Sequence, residues 1–240
     1  MIFEDYLEKT TSVLNKIKET QKDKILYAAQ MVSETIKSDG IIYIFGCGHS
    51  HLIALDCFYR AGGLANVSAM LDTDLMLHNG AAKSSKMEKM SGIAESIFER
   101  YCLTDKDILI TVSTSGKNAV PVEMAKVATE CGIRNIAVAS SAYFVDKKNA
   151  EMLYECADLY IDNCVPHGDA VMDISGCDTK MGSVSTAASS YILNSVLLEG
   201  AELAARGGAE IPIYMSGNVD GGAEYNKALI KKYLPRIKHL

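Results

Sequence analysis

Two short segments carry residue types suited to holding an anion: Gly46-Cys47-Gly48-His49-Ser50-His51 and Ser113-Thr114-Ser115-Gly116-Lys117-Asn118. Small residues let a bound group approach the backbone, hydroxyls donate hydrogen bonds, and free amides at a helix start add the positive end of its dipole. A phosphate suits such loops, with Gly48, His49, Ser50, Ser113, Thr114, Ser115 and Asn118 as the binding candidates. His51 follows the first loop serine directly, and an imidazole there can move protons near neutral pH. His78, in Leu77-His78-Asn79-Gly80, and Arg60, whose guanidinium offers a fixed fork of donors, are the other candidates for chemistry on a bound molecule.

Other polar groups have blander readings beside functional ones. Glu123 and Glu199 lie in helical stretches, where a partly buried carboxylate can serve as a base but is more often paired or solvated. His167 and Asp169 fall in a long loop that could act as a lid, and Asn218-Val219-Asp220-Gly221-Gly222 reads equally as a turn or as a segment reaching a neighbour's site. His49-x-His51 is a single pair with no accompanying ligand cluster, so no metal is expected. Gly46-x-Gly48 would need its third glycine at His51, and neither loop has the G-x-x-x-x-G-K-[ST] spacing, so neither a dinucleotide nor a Walker-type site is expected. No cofactor is implied.

Apolar runs position both loops. Ile41 to Phe45 and Ile108 to Val112 are uninterrupted, as in parallel strands covered on both faces, and each ends at a candidate loop. Similar runs at 65–70, 135–139 and 158–161 alternate with helical stretches near 49–61, 87–101, 119–131 and 147–156. That alternation predicts a parallel sheet with right-handed crossovers, in which ligands sit beyond the strand C-termini. Two helical patterns precede the first strand, an irregular stretch spans 163–182, and a long apolar helix is expected from about 183 to 205. The chain is thus read as one α/β domain over 1–240, with an N-terminal helical hairpin at about 2–38 and a helical extension at about 207–240.

Composition narrows the partners. A net charge of −6 without a basic tract argues against nucleic acid. No run is long enough to span a membrane and no leader pattern opens the chain, so a cytoplasmic location is expected. The seven cysteines are scattered without a C-x-x-C, which disfavours disulfides or a zinc ribbon and suggests mostly buried thiols.

The strand-Gly46-Cys47-Gly48-His49-Ser50 and strand-Ser113-Thr114-Ser115-Gly116-Lys117-Asn118 pairing, over roughly residues 30 to 206, resembles the SIS (sugar isomerase) family. With the His78-Asn79-Gly80 and Asn218–Gly222 segments, the chain is similar to a phosphoheptose isomerase-like bacterial branch of it. The resemblance implies a flavodoxin-like, three-layer αβα sandwich with a five-stranded parallel sheet. It also implies sugar-phosphate binding by Ser50, Ser113 and Ser115 with Thr114 assisting, and a homodimer or homotetramer with sites near subunit interfaces. Aldose–ketose isomerisation is the implied chemistry; a non-catalytic phosphosugar sensor, or an etherase or lyase acting on an amino-sugar phosphate, are the alternatives. Three departures stand out: Arg60 occupies the family's glutamate position, the last core helix has no histidine, and Asn118 stands where Thr or Ser is usual.

Overall fold

Side chains alternate along each expected strand between two apolar layers, and the computed structural model, which describes residues 1–147 and 150–240, brings these strands into one sheet. The strands are β1 (Ile42–Gly46), β2 (Val67–Met70), β3 (Ile108–Val112), β4 (Arg134–Ala139) and β5 (Leu159–Asp162). All pairs are parallel, in the order β2-β1-β3-β4-β5. The connection from β1 to β2 runs one way along the sheet and the strands from β3 onward lie on the other side, so order reverses between β1 and β3.

One layer consists of α1 (Ile2–Thr20), α2 (Lys22–Lys37), α3 (His51–Cys57) and α8 (Ser185–Arg206). These cover the sheet face carrying Ile42, Ile44, Ile108, Ile110 and Val138. The opposite face, with Ile41, Tyr43, Phe45 and Leu109, is covered by α5 (Ala94–Glu99), α6 (Ala119–Glu130) and α9 (Gly222–Tyr233). Phe45 is fully buried there; truncating such a side chain to alanine costs about 3–5 kcal/mol. The helices α2 and α8 lie so close that a Cβ on Gly200 would fall 2.6 Å from Val32 Cγ1. The expected three-layer αβα sandwich is what forms.

Several local expectations change. Gln21 alone separates α1 from α2, where the loop of an αα-hairpin has about 2–5 residues. The helix expected at 49–61 is a 3-10 turn at Gly48–Ser50 followed by α3, which stops at Cys57 because Phe58 is extended and Tyr59 takes a φ of 45°. The stretch 87–101 divides between the end of α4 (Ala81–Met87) and the short α5, since Gly92, at φ 87°, intervenes. Of 147–156 only α7 (Leu153–Cys156) is α-helical, preceded by a 3-10 segment at Ser141–Asp146, and Lys148 and Asn149 lie outside the described residues. The stretch 163–182 is less irregular than expected: β6 (Ala170–Met172) and β7 (Met181–Ser183) form an antiparallel pair. Only Cys47, Cys57 and Cys164 are buried, whereas Cys102, Cys131 and Cys177 are exposed; all seven are free thiols. Among the described residues no helix is long and apolar enough to cross a membrane.

Candidate functional site

Because β1 and β3 are neighbours in register, with Gly46 opposite Val112, the two candidate loops leave the sheet side by side at its C-terminal edge. Adjacent strands lie about 4.8 Å apart, which sets the width between the loops. They also flank the point where strand order reverses, the place at which open α/β sheets form a ligand crevice.

Each loop is held by a few internal bonds that leave other donors free. In the first, Ser50 donates its amide to the Cys47 carbonyl at 3.0 Å, and Gly48 adopts a φ of 57°. In the second, the Ser113 amide bonds the Val138 carbonyl at 2.9 Å, while its hydroxyl accepts from the Gly116 amide at 3.3 Å. Thr114 Oγ1 receives the Asn163 side-chain amide at 3.3 Å, and the Thr114 carbonyl accepts from the Ser140 amide at 2.9 Å. Among the described residues no acceptor takes the amides of Thr114, Ser115 or Lys117, and the Ser50 and Ser115 hydroxyls have no partner. The loop runs into α6, twelve residues long, with Asn118 at its N-cap and no side-chain cap bond. Unpaired amides in the loop leading into α6, beside free hydroxyls, suit a phosphate.

His51 points into the protein rather than into solvent. It is 3% exposed, its Nδ1 lies 2.5 Å from the Gly48 carbonyl oxygen, and its Nε2 is buried without a partner. A carbonyl can only accept, so the neutral ring carries its proton on Nδ1 and presents a lone pair at Nε2. The ring centroid of His78 lies 5.9 Å away, on an exposed 3-10 turn at Leu77–Asn79. His49 is exposed at the tip of the first loop. Arg60 is not brought to this edge. It lies beyond the far end of α3, bonds the Asp56 carbonyl at 2.9 Å and pairs with the Asp56 carboxylate, which also accepts from Ser190 Oγ at 2.8 Å and Asn194 Nδ2 at 3.1 Å.

The remaining sequence candidates are engaged elsewhere. Glu123 accepts the Gly92 amide at 2.8 Å, fixing the turn before α5. Asp169 caps α8 from a distance, accepting the Val184 and Ser185 amides at 2.9 and 2.8 Å and the Ser185 hydroxyl at 2.6 Å. Glu199 is half-buried on α8, and Asn218 to Gly221 are exposed in the turn before α9. His167 stacks on Tyr143 with centroids 4.6 Å apart and approaches Asp146 at 3.2 Å, while Lys117 of the second loop pairs with the same carboxylate at 2.6 Å. Lys117 and His167 hold the Asp146 carboxyl below its ordinary range. Among the described residues no group of three His, Cys, Asp or Glu side chains is arranged to hold a metal.

One residue at this edge escaped the sequence reading. Glu88 follows α4, is half-buried, and accepts the amide of Val120, in the first turn of α6, on its backbone carbonyl at 3.1 Å. Burial raises its carboxyl above the ordinary range, while the Asn118 side chain and then Lys89 favour the charged form. Its charge also reaches the buried Cys47 thiol in the first loop. Nothing in Lys86-Met87-Glu88-Lys89-Met90 sets this glutamate apart from a solvated one.

The model of the SIS domain family matches residues 5–140. A UPF0309 protein of Caldanaerobacter subterraneus subsp. tengcongensis is 41% identical over 242 aligned residues, covering 98% of both chains. A UPF0309 protein of Geobacillus thermodenitrificans is 39% identical over 240, covering 98% of this chain and 96% of its own. Among solved structures, a phosphoheptose isomerase from Francisella tularensis superposes with a TM-score of 0.55 at 13% identity, and one from Neisseria gonorrhoeae with 0.53 at 16%. Each alignment covers 82% of this chain and 96% of the other. At such identities the structural likeness speaks for the fold.

Proposed function

The chain belongs to the SIS domain family, and from that premise we propose that it binds a sugar phosphate in the crevice between β1 and β3 and interconverts its aldose and ketose forms. The observation that carries this reading is the pairing of two amide- and hydroxyl-bearing loops on adjacent strands at the switch in strand order. The phosphate takes the free donors of Ser50, Ser113, Thr114, Ser115 and Asn118, with Gly48 and His49 shaping the first loop. Anchoring one end fixes the sugar's orientation, which converts proton transfer into an intramolecular step.

Isomerisation requires a base that takes the proton from C2 of the aldose and returns it to C1, with a second transfer between the two oxygens. His51 is the base in this reading, because the Gly48 carbonyl fixes its proton on Nδ1 and leaves Nε2 as an acceptor. His78, its ring neighbour, is the group that exchanges protons with solvent. Arg60 enters only if a ligand or a second copy draws it from Asp56. A homodimer or homotetramer is part of the same reading, as is a cytoplasmic location.

Thermal shifts across hexose, heptose, pentose and amino-sugar phosphates, with the free sugars as controls, test the binding claim. A ligand at a hundredfold excess over Kd stabilises by about 2.7 kcal/mol. Shifts by phosphorylated sugars alone, lost in the S113A/S115A double variant, are expected. Equal shifts in parent and variant would remove the assignment.

Closure of His51 Nε2 from solvent favours a second reading, a sensor that binds the sugar phosphate without turning it over. Mass-conserving conversion of the bound compound decides for isomerisation, release of a second product for an etherase or lyase, and no conversion for the sensor.

A further inference from the structure

Neither loop presents a permanent cation to the crevice. The first contains no Lys or Arg, and Lys117, the one such residue in the second, is turned onto Asp146, Nζ to Oδ2, at 2.6 Å. A phosphate monoester carries between one and two negative charges near neutral pH, and amides and hydroxyls meet it only with partial charges. Taking such a charge out of water is costly unless a counter-charge accompanies it.

Asp146 has a second partner that can keep it when Lys117 leaves. It ends the 3-10 segment after β4, and His167 Nε2 lies 3.2 Å from the same Oδ2 and 3.3 Å from Oδ1. His167 is itself held in place: its ring stacks on Tyr143 with centroids 4.6 Å apart, and Tyr143 Oη accepts the adjoining Gly168 amide at 3.0 Å. The Asp146 side chain is also 26% exposed, so water reaches it, and that of Lys117 is 46% exposed. Exposed ion pairs of this kind contribute at most about fivefold to an equilibrium, which makes the lysine easy to detach.

Lys117 can reach a ligand without any movement of the backbone. Among the described residues its amide has no acceptor, and the preceding Gly116 carbonyl is tied to the Leu153 amide at 2.8 Å. An anion held by that amide lies within the sweep of the same residue's flexible four-carbon stem, whose ammonium turns freely to aim its donors. We propose that Lys117 is a phosphate-binding residue of the crevice, paired with Asp146 in the free protein and transferred to the phosphoryl group when a ligand binds, while His167 keeps the carboxylate. This rests on the phosphate-binding reading of the same loops and adds to it the cation that neutralises the ligand and the side chain that competes for it.

Because Asp146 and the ligand compete for one ammonium, removing the carboxylate strengthens anion binding only while Lys117 is present. Calorimetric titration of the full chain with inorganic phosphate at pH 7.5 tests this, in 0.15 M salt so that screening confines the field of Asp146 itself to about 8 Å. Asp146→Asn is expected to bind phosphate about two- to fivefold more tightly than the wild type. Lys117→Met should bind about tenfold more weakly, and Lys117→Arg, which keeps the charge, close to the wild type. Adding Asp146→Asn to Lys117→Met is expected to produce no gain, a non-additivity that marks the two side chains as coupled. Asp146→Ser repeats the comparison should Asn disturb the turn. No gain in the wild-type background, equal gains in both backgrounds, or unchanged affinity in Lys117→Met each overturn the transfer while leaving the crevice standing. Failure of inorganic phosphate and of every sugar phosphate to bind the wild type removes both.

Discussion

Gly46 and Ser50 approach so closely that a Cβ on Gly46 would lie 2.6 Å from both the carbonyl carbon and the carbonyl oxygen of Ser50. Neither atom can swing aside as a side chain would, so the first loop can fold over the end of β1 only where residue 46 is glycine. Gly46→Ala is therefore expected to destabilise the fold by about 1–3 kcal/mol, as overpacking does, and to abolish ligand-induced thermal shifts at sugar-phosphate concentrations that saturate the wild type. A variant melting like the parent and retaining its shifts would contradict this account of the loop.

His51→Gln separates binding from chemistry. The proposed base contributes about 10²–10⁴-fold to turnover, so the substitution should depress kcat by that order while leaving affinity for the phosphorylated ligand nearly intact. Affinity lost in proportion to kcat would instead make His51 a scaffold for the first loop.

Thiol reactivity should sort by position. Burial pushes the Cys57 thiol up to about 12 and the Cys47 thiol higher still, and the thiolate is the reactive form. In the native protein at pH 7.5, brief iodoacetamide labelling read by peptide mass spectrometry should modify Cys102, Cys131 and Cys177, with Cys47 and Cys57 reacting only after denaturation. Rapid labelling of Cys47 would mean that the first loop opens far more readily than its packing indicates.

The C-terminal segment should loosen in acid. His239 Nε2 lies 2.8 Å from Tyr101 Oη, and burial, with Arg100 and Lys238 adding to it, lowers the imidazole below its ordinary pKa. The unfolded chain binds that proton more readily than the folded one, so this contribution to stability is complete above the ordinary histidine range and declines as pH falls through it. Amide exchange at residues 236–240, corrected for the intrinsic pH dependence, is expected to accelerate between pH 7 and 5. His239→Gln should flatten that response. An unchanged pH response in the variant would assign the loosening to other groups.

Much of this was legible in residue patterns. Unbroken apolar runs gave away the parallel strands, because a strand buried on both faces cannot alternate with polar residues. The loops were legible as well, since Gly48 and Gly116 mark sharp backbone turns, and Gly46 a close backbone approach, beside hydroxyl-bearing residues. Less visible were features fixed by distant contacts. Asp169 caps a helix start sixteen residues later, Asp146 gathers Lys117 and His167 from two other loops, and the burial of His51 depends on how β1 meets its helix. Glu88 could not be found at all from a local pattern, because only the packing of its segment against α6 distinguishes it from the surrounding charged residues.

The pairing of Ile42 with Ile108 joins residues sixty-six positions apart, and this has a kinetic meaning. The crevice does not exist in any fragment that lacks β3, and forming it requires closure of a long segment before the contact returns any free energy. A ligand held by both loops thus recognises only chains in which that closure has occurred. If the pairing forms after the folding barrier, ligand slows the escape of finished molecules and leaves their rate of formation unchanged, so in the cell the small molecule would act as a selective preservative of completed chains.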